Sequence, residues 1–242
     1  MRSSIDPAVF GVLNRLNSQD KKCLSGLFRV YRDLDKKTAA FQKASGLGCR
    51  KGCGQCCDNP DVETSILEMM PVAIDLWQKN TAGAWLDKVE SLNGRGRCVF
   101  YEPHPFSAGQ GRCTIYPLRP LICRLFGFSA RLSKTGKPVL VTCRVIKTDQ
   151  SGQYTDALKQ IEGGAKIPVM PHFSSQVAGL NLMDGARQLP INTALRLALE
   201  RVGLKIRLGA LYAKSKLQSR RRGRPAVPKL SGSAGRDTPE EF

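Results

Sequence analysis

The chain has 242 residues, is 41% apolar, and carries 38 Lys and Arg against 20 Asp and Glu for a formal charge of +18. That length and apolar content suit one or two ordinary folded domains and exclude a globally disordered chain. Nine cysteines and the positive charge are what set it apart from an average soluble domain.

The segment Met1 to Lys22 lacks the apolar run of a secretory leader. The most apolar stretch, Ile66 to Trp77, is interrupted by Glu68, Pro71 and Asp75, so no membrane span is expected. A soluble, cytoplasmic protein is the expectation. Cytoplasmic thiols stay reduced, which turns a dense set of cysteines toward metal binding or thiol redox work rather than a disulfide framework.

In chain order, Asp6-Pro7 opens a helical pattern continued by Val9, Phe10, Leu13 and Leu16. A second amphipathic run follows through Leu24, Leu27, Phe28, Tyr31 and Leu34, with Cys23 beside the apolar stripe as a buried core thiol. Gly46-Leu47-Gly48 ends this part, and a Gly- and Cys-rich loop reaches Pro60. Ser65 to Glu68 has the form of a capping box opening a helix that Pro71 should kink. A short helix over Ala82 to Leu92 is predicted, closed by the breaker Asn93-Gly94-Arg95-Gly96. Cys98 to Tyr101 reads as a strand, and Pro120 to Phe126 as one or two helical turns. Ser129–Arg131 and Val139–Thr142 read as a hairpin across Lys134-Thr135-Gly136-Lys137. Helices over Tyr154 to Ile161 and Asn192 to Lys214 complete the pattern, and from Ser215 the apolar content collapses into a tail expected to be disordered.

The predicted fold class is therefore mainly α, of the α+β kind, with a helical body around an irregular cysteine-rich core and a small β-hairpin. Its expected segments are N-terminal helices over 1–45, a cysteine-cluster domain over 46–145, C-terminal helices over 146–214 and a disordered basic tail over 215–242.

Four cysteines, Cys49, Cys53, Cys56 and Cys57, fall in the run CRKGCGQCC, and Cys98, Cys113, Cys123 and Cys143 follow. A tight Gly-containing turn lets several thiolates converge on a metal, so these eight are the candidate ligands of zinc or iron, an iron-sulfur cluster included. Adjacent Cys56 and Cys57 project differently from any regular backbone, which suits two centres, or a cluster and a separate ion, better than one ion. The spacing of Cys49, Cys53 and Cys56 also matches that of radical S-adenosylmethionine enzymes, without the repeated strand-helix units expected beside it.

The run CRKGCGQCC, the Gly96-Arg97-Cys98 triplet and CTIYPLRPLICRLF from Cys113 to Phe126 together resemble the YkgJ-type cysteine-cluster family of zinc- or iron-chelating domains. The resemblance spans residues 46 to 145. The family opens with C-x2-C-x2-CC, whereas three residues separate Cys49 from Cys53 here. It implies a bound zinc or iron-sulfur centre, and likeness to the flagellin lysine N-methylases adds methyl transfer to protein lysine as an alternative activity.

Tyr116, Arg119 and Arg124 are expected around the sulfurs, because buried thiolates need donors and cations to offset their charge. Arg144 lies similarly close in sequence, and His104 and His172 are lesser ligand candidates. In the tail, Arg222-Gly223-Arg224-Pro225 resembles an AT-hook core. Arg222 and Arg224 are thus the candidates for contact with DNA or another polyanion, and a nucleic-acid-associated metalloprotein is a further alternative.

Overall fold

The computed structural model describes residues 16–50, 52–92, 96–106 and 110–222, with backbone alone at 210 and 212–222. The first helical run, Asp6 to Leu13, lies outside the described residues.

Helix α1, Ser18–Ser45, is the second predicted run. Asn17 caps its start by accepting the Asp20 N–H at 2.8 Å. Gly46 ends it in the left-handed conformation, φ 69°, where a side chain would be strained. Leu24, Leu27, Tyr31 and Leu34 form its buried stripe.

The short strand β1, Glu63–Thr64, leads into α2, Ile66–Gln78, through the predicted capping box at Ser65 and Glu68. Helix α2 runs on through Pro71 and is buried along almost its whole length. Helix α3, Ala82–Glu90, follows as expected.

The strand predicted over Cys98 to Tyr101 is corrected. Residues 98–100 turn, with Tyr101 N–H donating to the Cys98 carbonyl at 3.0 Å. Pairing begins only at β2, Tyr101–Pro103, which lies antiparallel to β3, Gly111–Cys113. The physical reason is the Cys98 sulfur, which accepts the Phe100 N–H and curls the backbone around itself.

A one-turn helix α4, Leu121–Leu125, carries Cys123. The predicted hairpin forms as β4, Ser129–Leu132, against β5, Pro138–Val141, with Ala130 opposite Leu140 and Gly136 at φ 78° in the turn. Helices α5, Arg144–Asp149, α6, Ser151–Glu162, α7, Met170–Leu180, and α8, Leu182–Gly185, come next, and β6, Leu189–Pro190, pairs with β1.

Helix α9, Ile191–Arg222, lies along α2. It continues past the expected end at Lys214, because Lys, Leu, Gln and Arg in residues 215–222 are good helix formers. The rest of the predicted tail, 223–242, lies outside the described residues. Lys205 on α9 holds Asp20 of α1 at 2.6 and 2.7 Å, and Arg201 pairs with Asp184 of α8.

The main core draws on residues from Leu16 to Val202 and is dominated by α1, α2 and α9. A smaller second core gathers Phe41, Leu47, Phe128, Leu140, Ile146, Ala157 and Ile161. The molecule is thus mainly helical with small antiparallel strand pairs. Among the described residues no helix is long and apolar enough to cross a membrane.

Candidate metal centre

The first cysteine block is a turn, with Gly52 at φ 74° and a 3-10 turn over Gln55–Cys57. It is fixed against the β2–β3 hairpin. Gly111 N–H donates to the Gly52 carbonyl at 3.1 Å, and Cys53 forms a bridge with Gln110. The Tyr101 ring fills the angle between them. A Cβ on Gly54 would sit 2.6 Å from the Tyr101 hydroxyl, and one on Gly111 would sit 2.6 Å from the Glu102 carbonyl oxygen, so both positions require glycine for a close approach.

Upstream of that turn, Gly48 and Gln150 clasp each other. Gly48 N–H donates to Gln150 Oε1 at 3.0 Å, and Gln150 Nε2 donates to the Gly48 carbonyl at 2.6 Å. Arg50 pairs with Asp149 beside them. This brings Cys49 to Cys143, which opens α5 by accepting the Ile146 N–H on its sulfur at 3.4 Å.

Cys123 is placed by a buried carboxylate. Glu68 is 3% exposed and has a donor on each oxygen. Its Oε2 accepts Ser65 N–H and Oγ–H at 3.1 and 2.8 Å, and its Oε1 accepts Leu121 N–H at 2.6 Å. One side chain therefore closes the start of both α2 and the helix bearing Cys123.

All eight candidate thiols enter one electrostatic neighbourhood. Cys49 feels Cys56, Cys143 and Cys53, while Cys57 feels Cys56, Cys113 and Cys123. Cys123 in turn feels Cys98, Cys113 and Cys56. Burial pushes the Cys49 and Cys98 thiols to about 11 and Cys123 to about 12, and raises Cys113. Backbone N–H groups oppose this at two of them, Phe100 donating to Cys98 and Ile115 to Cys113. Within the adjacent pair, the Cys57 S–H donates to the Cys56 sulfur. That bond holds Cys56 down at about 6 and pushes Cys57 well above the usual thiol range.

Arg119 faces this set, its positive charge favouring the thiolates of Cys49, Cys56, Cys113 and Cys123. Its guanidinium lies 3.9 Å from the centroid of the exposed Tyr116 ring. Arg124 is differently employed. It is 8% exposed, donates to Asp35 at 2.7 Å and to the Arg119 carbonyl at 2.8 Å, and lies over the Tyr31 ring. It ties the cysteine-bearing segment to α1 rather than spending its donors on sulfur. Arg144 is exposed at the start of α5. His104 is exposed, its Nδ1 accepting the Phe106 N–H, and His172 pairs with Gln176 at 2.7 Å. Cys23 is a core thiol, 4% exposed, donating to the Leu180 carbonyl. Arg222 is described by backbone alone, and Arg224 lies outside the described residues.

Two residues near the thiols escape a sequence reading. Lys88 favours the Cys98 thiolate and donates to the Val99 carbonyl at 3.3 Å. Tyr31, on the buried stripe of α1, lies within electrostatic reach of Cys123 and reads from the sequence as core alone.

The donor set fits a thiophilic metal. Eight thiols share one neighbourhood, and two buried donors beside them, Arg119 Nε and the Tyr31 hydroxyl, have no partner among the described residues. Among the described residues no three Cys, His, Asp or Glu side chains already close on a common point, so binding an ion requires the thiols to turn inward.

Fold and donors define a helical scaffold around a thiol-lined site of the chelating kind. Residues 48–151 match the CxxCxxCC family model, described as a putative zinc- or iron-chelating domain. The matched family is the one the cysteine blocks resemble, and the match covers less than half of the chain. No curated protein and no solved structure matches the chain.

Proposed function

We propose that this is a cytoplasmic metal-binding protein in which Cys49, Cys53, Cys56, Cys57, Cys98, Cys113, Cys123 and Cys143 hold zinc or an iron-sulfur centre. The observation that carries it is the gathering of these thiols in one electrostatic neighbourhood around Arg119, whose Nε has no hydrogen-bond partner among the described residues. All nine cysteines are free thiols, which suits a reducing compartment.

When bound, zinc supplies a cross-link between chain segments, and an iron-sulfur cluster adds one-electron redox capacity. The chain's own residues supply the rest. Arg119 offsets the negative charge that several thiolates confer on a divalent ion, and the Phe100 and Ile115 N–H groups hold the Cys98 and Cys113 sulfurs in place. Tyr31, whose hydroxyl has no hydrogen-bond partner among the described residues, lies within electrostatic reach of Cys123.

The test is anaerobic purification from cells replete in iron and zinc, followed by measurement of metal and acid-labile sulfide. Stoichiometric iron with sulfide in a brown protein selects the cluster, and stoichiometric zinc in a colourless one selects the ion. Neither metal at stoichiometric level overturns the proposal.

A further inference from the structure

We infer that the solvent face of α1 is a docking surface for the phosphate backbone of duplex DNA, engaged without regard to base sequence. The inference stands on charge and helix geometry and is independent of the metal proposed above.

Lys22, Arg29, Lys36 and Lys43 recur at every seventh residue along α1, with Arg32 among them. All five side chains are exposed. Seven residues are close to two helical turns, so each step rises about 10.5 Å and drifts by only about 20°. The cations therefore form one nearly straight row about 32 Å long. It lies on the side away from the buried stripe of Leu24, Leu27, Tyr31 and Leu34.

The row keeps its charge. Each of the three carboxylates of α1 is already held by a cation outside it, Asp20 by Lys205, Asp33 by Lys37 and Asp35 by Arg124. None of the five row residues is in an ion pair among the described residues. Charges about 10 Å apart are a Debye length from each other at about 0.1 M salt and repel weakly. The row therefore costs the fold little, while a polyanion that meets all five sums their attraction.

The rest of the face selects the polyanion. Ser25, Ala39 and Ala40 are exposed beside the cations and are small enough to let a phosphate backbone come close. Among the large apolar side chains exposed on the described residues, none is on α1. The face thus lacks the apolar anchor by which an interfacial helix enters lipid, and the rings on which single-stranded bases stack. Duplex DNA needs neither, offers one negative charge per roughly 1.7 Å, and completes a turn in about 34 Å, close to the length of the row. Contacts to phosphate position a protein without reading bases. That separates this surface from Arg222 and Arg224, for which a preference for A·T-rich DNA is expected.

The test follows the fluorescence anisotropy of labelled A·T-rich and G·C-rich duplexes of about two helical turns, titrated with the full chain between about 50 and 200 mM salt. Each phosphate contact contributes about one unit to the slope of log affinity against log salt. Arg29→Gln, Lys36→Gln and Lys43→Gln combined should therefore reduce that slope by about three and weaken binding to both duplexes alike, with circular dichroism unchanged. Arg29→Gln alone, expected to reduce the slope by about one, carries the test if the triple variant misfolds. Arg222→Gln with Arg224→Gln should leave the contribution of the row in place. No binding by the wild-type chain at the lowest salt, or row variants with wild-type affinity and slope, overturns the proposal. A loss confined to the A·T-rich duplex overturns it too, as does binding to vesicles of anionic phospholipid without binding to either duplex.

Discussion

Arg119 and Arg124 stand five residues apart in a short arginine-containing stretch, yet the structure assigns them different work. Arg119 leaves its Nε without a hydrogen-bond partner among the described residues, while Arg124 is spent on Asp35, two backbone carbonyls and the Tyr31 ring. Arg119→Ala is therefore expected to weaken metal binding by about 10- to 100-fold, as loss of an outer-shell partner does, with little change in metal-free stability. Competition against a chelator of known affinity measures the first, and urea unfolding the second. Arg124→Ala should show the reverse pattern. Glu68 offers a sharper case. Glu68→Gln replaces one acceptor oxygen with a donor facing Ser65 or Leu121, so stability should fall by about 2 kcal/mol, the scale of a buried hydrogen bond to a charged group. A urea midpoint unchanged from wild type would show that this carboxylate is not what joins α2 to α4.

Among the elements, Gly203 on α9 presses against the face of Trp77 on α2. A Cβ there would lie 2.5 Å from the indole, whose Nε1 donates to the Leu199 carbonyl at 2.9 Å. Gly203→Ala gains about 1 kcal/mol of helix propensity but forces an overpacked contact costing roughly 1–3 kcal/mol. The net expectation is a loss of about 1 kcal/mol in urea unfolding, against the gain that an exposed helical glycine would give.

This is also the scale at which the sequence is most and least legible. Local signals suffice for α1 with its Gly46 stop, for the Ser65–Glu68 box, and for the β4–β5 hairpin with its Gly136 turn. They fail where distant chain decides. Strand β2 starts where Tyr101 packs on Gly54 and Gly111, and β1–β6 joins residues far apart in sequence. Helix α7, whose sequence MPHFSSQVAGL carries little helical preference, is held by Phe173 in the core and by Leu180 against Gly26 and Cys23 of α1. At the site, the eight cysteines announce themselves by spacing. Tyr31 and Lys88 do not, since each looks like an ordinary helix residue until the fold carries it to the sulfurs, and Glu68 shows its capping box but not its hold on Leu121 at the start of the helix that bears Cys123.

For the whole molecule, the eight candidate thiols lie on segments that no disulfide joins, from the loop after α1 to the start of α5, so an ion held by them would connect those segments. A ligand that binds the folded chain alone stabilises it by mass action, about 2.7 kcal/mol at a hundredfold excess over its Kd. Thermal unfolding should therefore shift upward with zinc and fall back when EDTA is added. A melting temperature indifferent to both would show that any bound ion is not linked to folding.

The two-way clasp between Gly48 and Gln150 bears on how such a domain is built into longer chains. The family match spans 48–151, so its two ends are held within hydrogen-bonding distance of each other. A length of chain that departs and returns at one point behaves like a bead on a closed thread. Lengthening or exchanging what precedes Gly48 or follows Gln150 displaces the neighbours of the bead, while the distance between Cys49 and Cys143 is set by the knot itself.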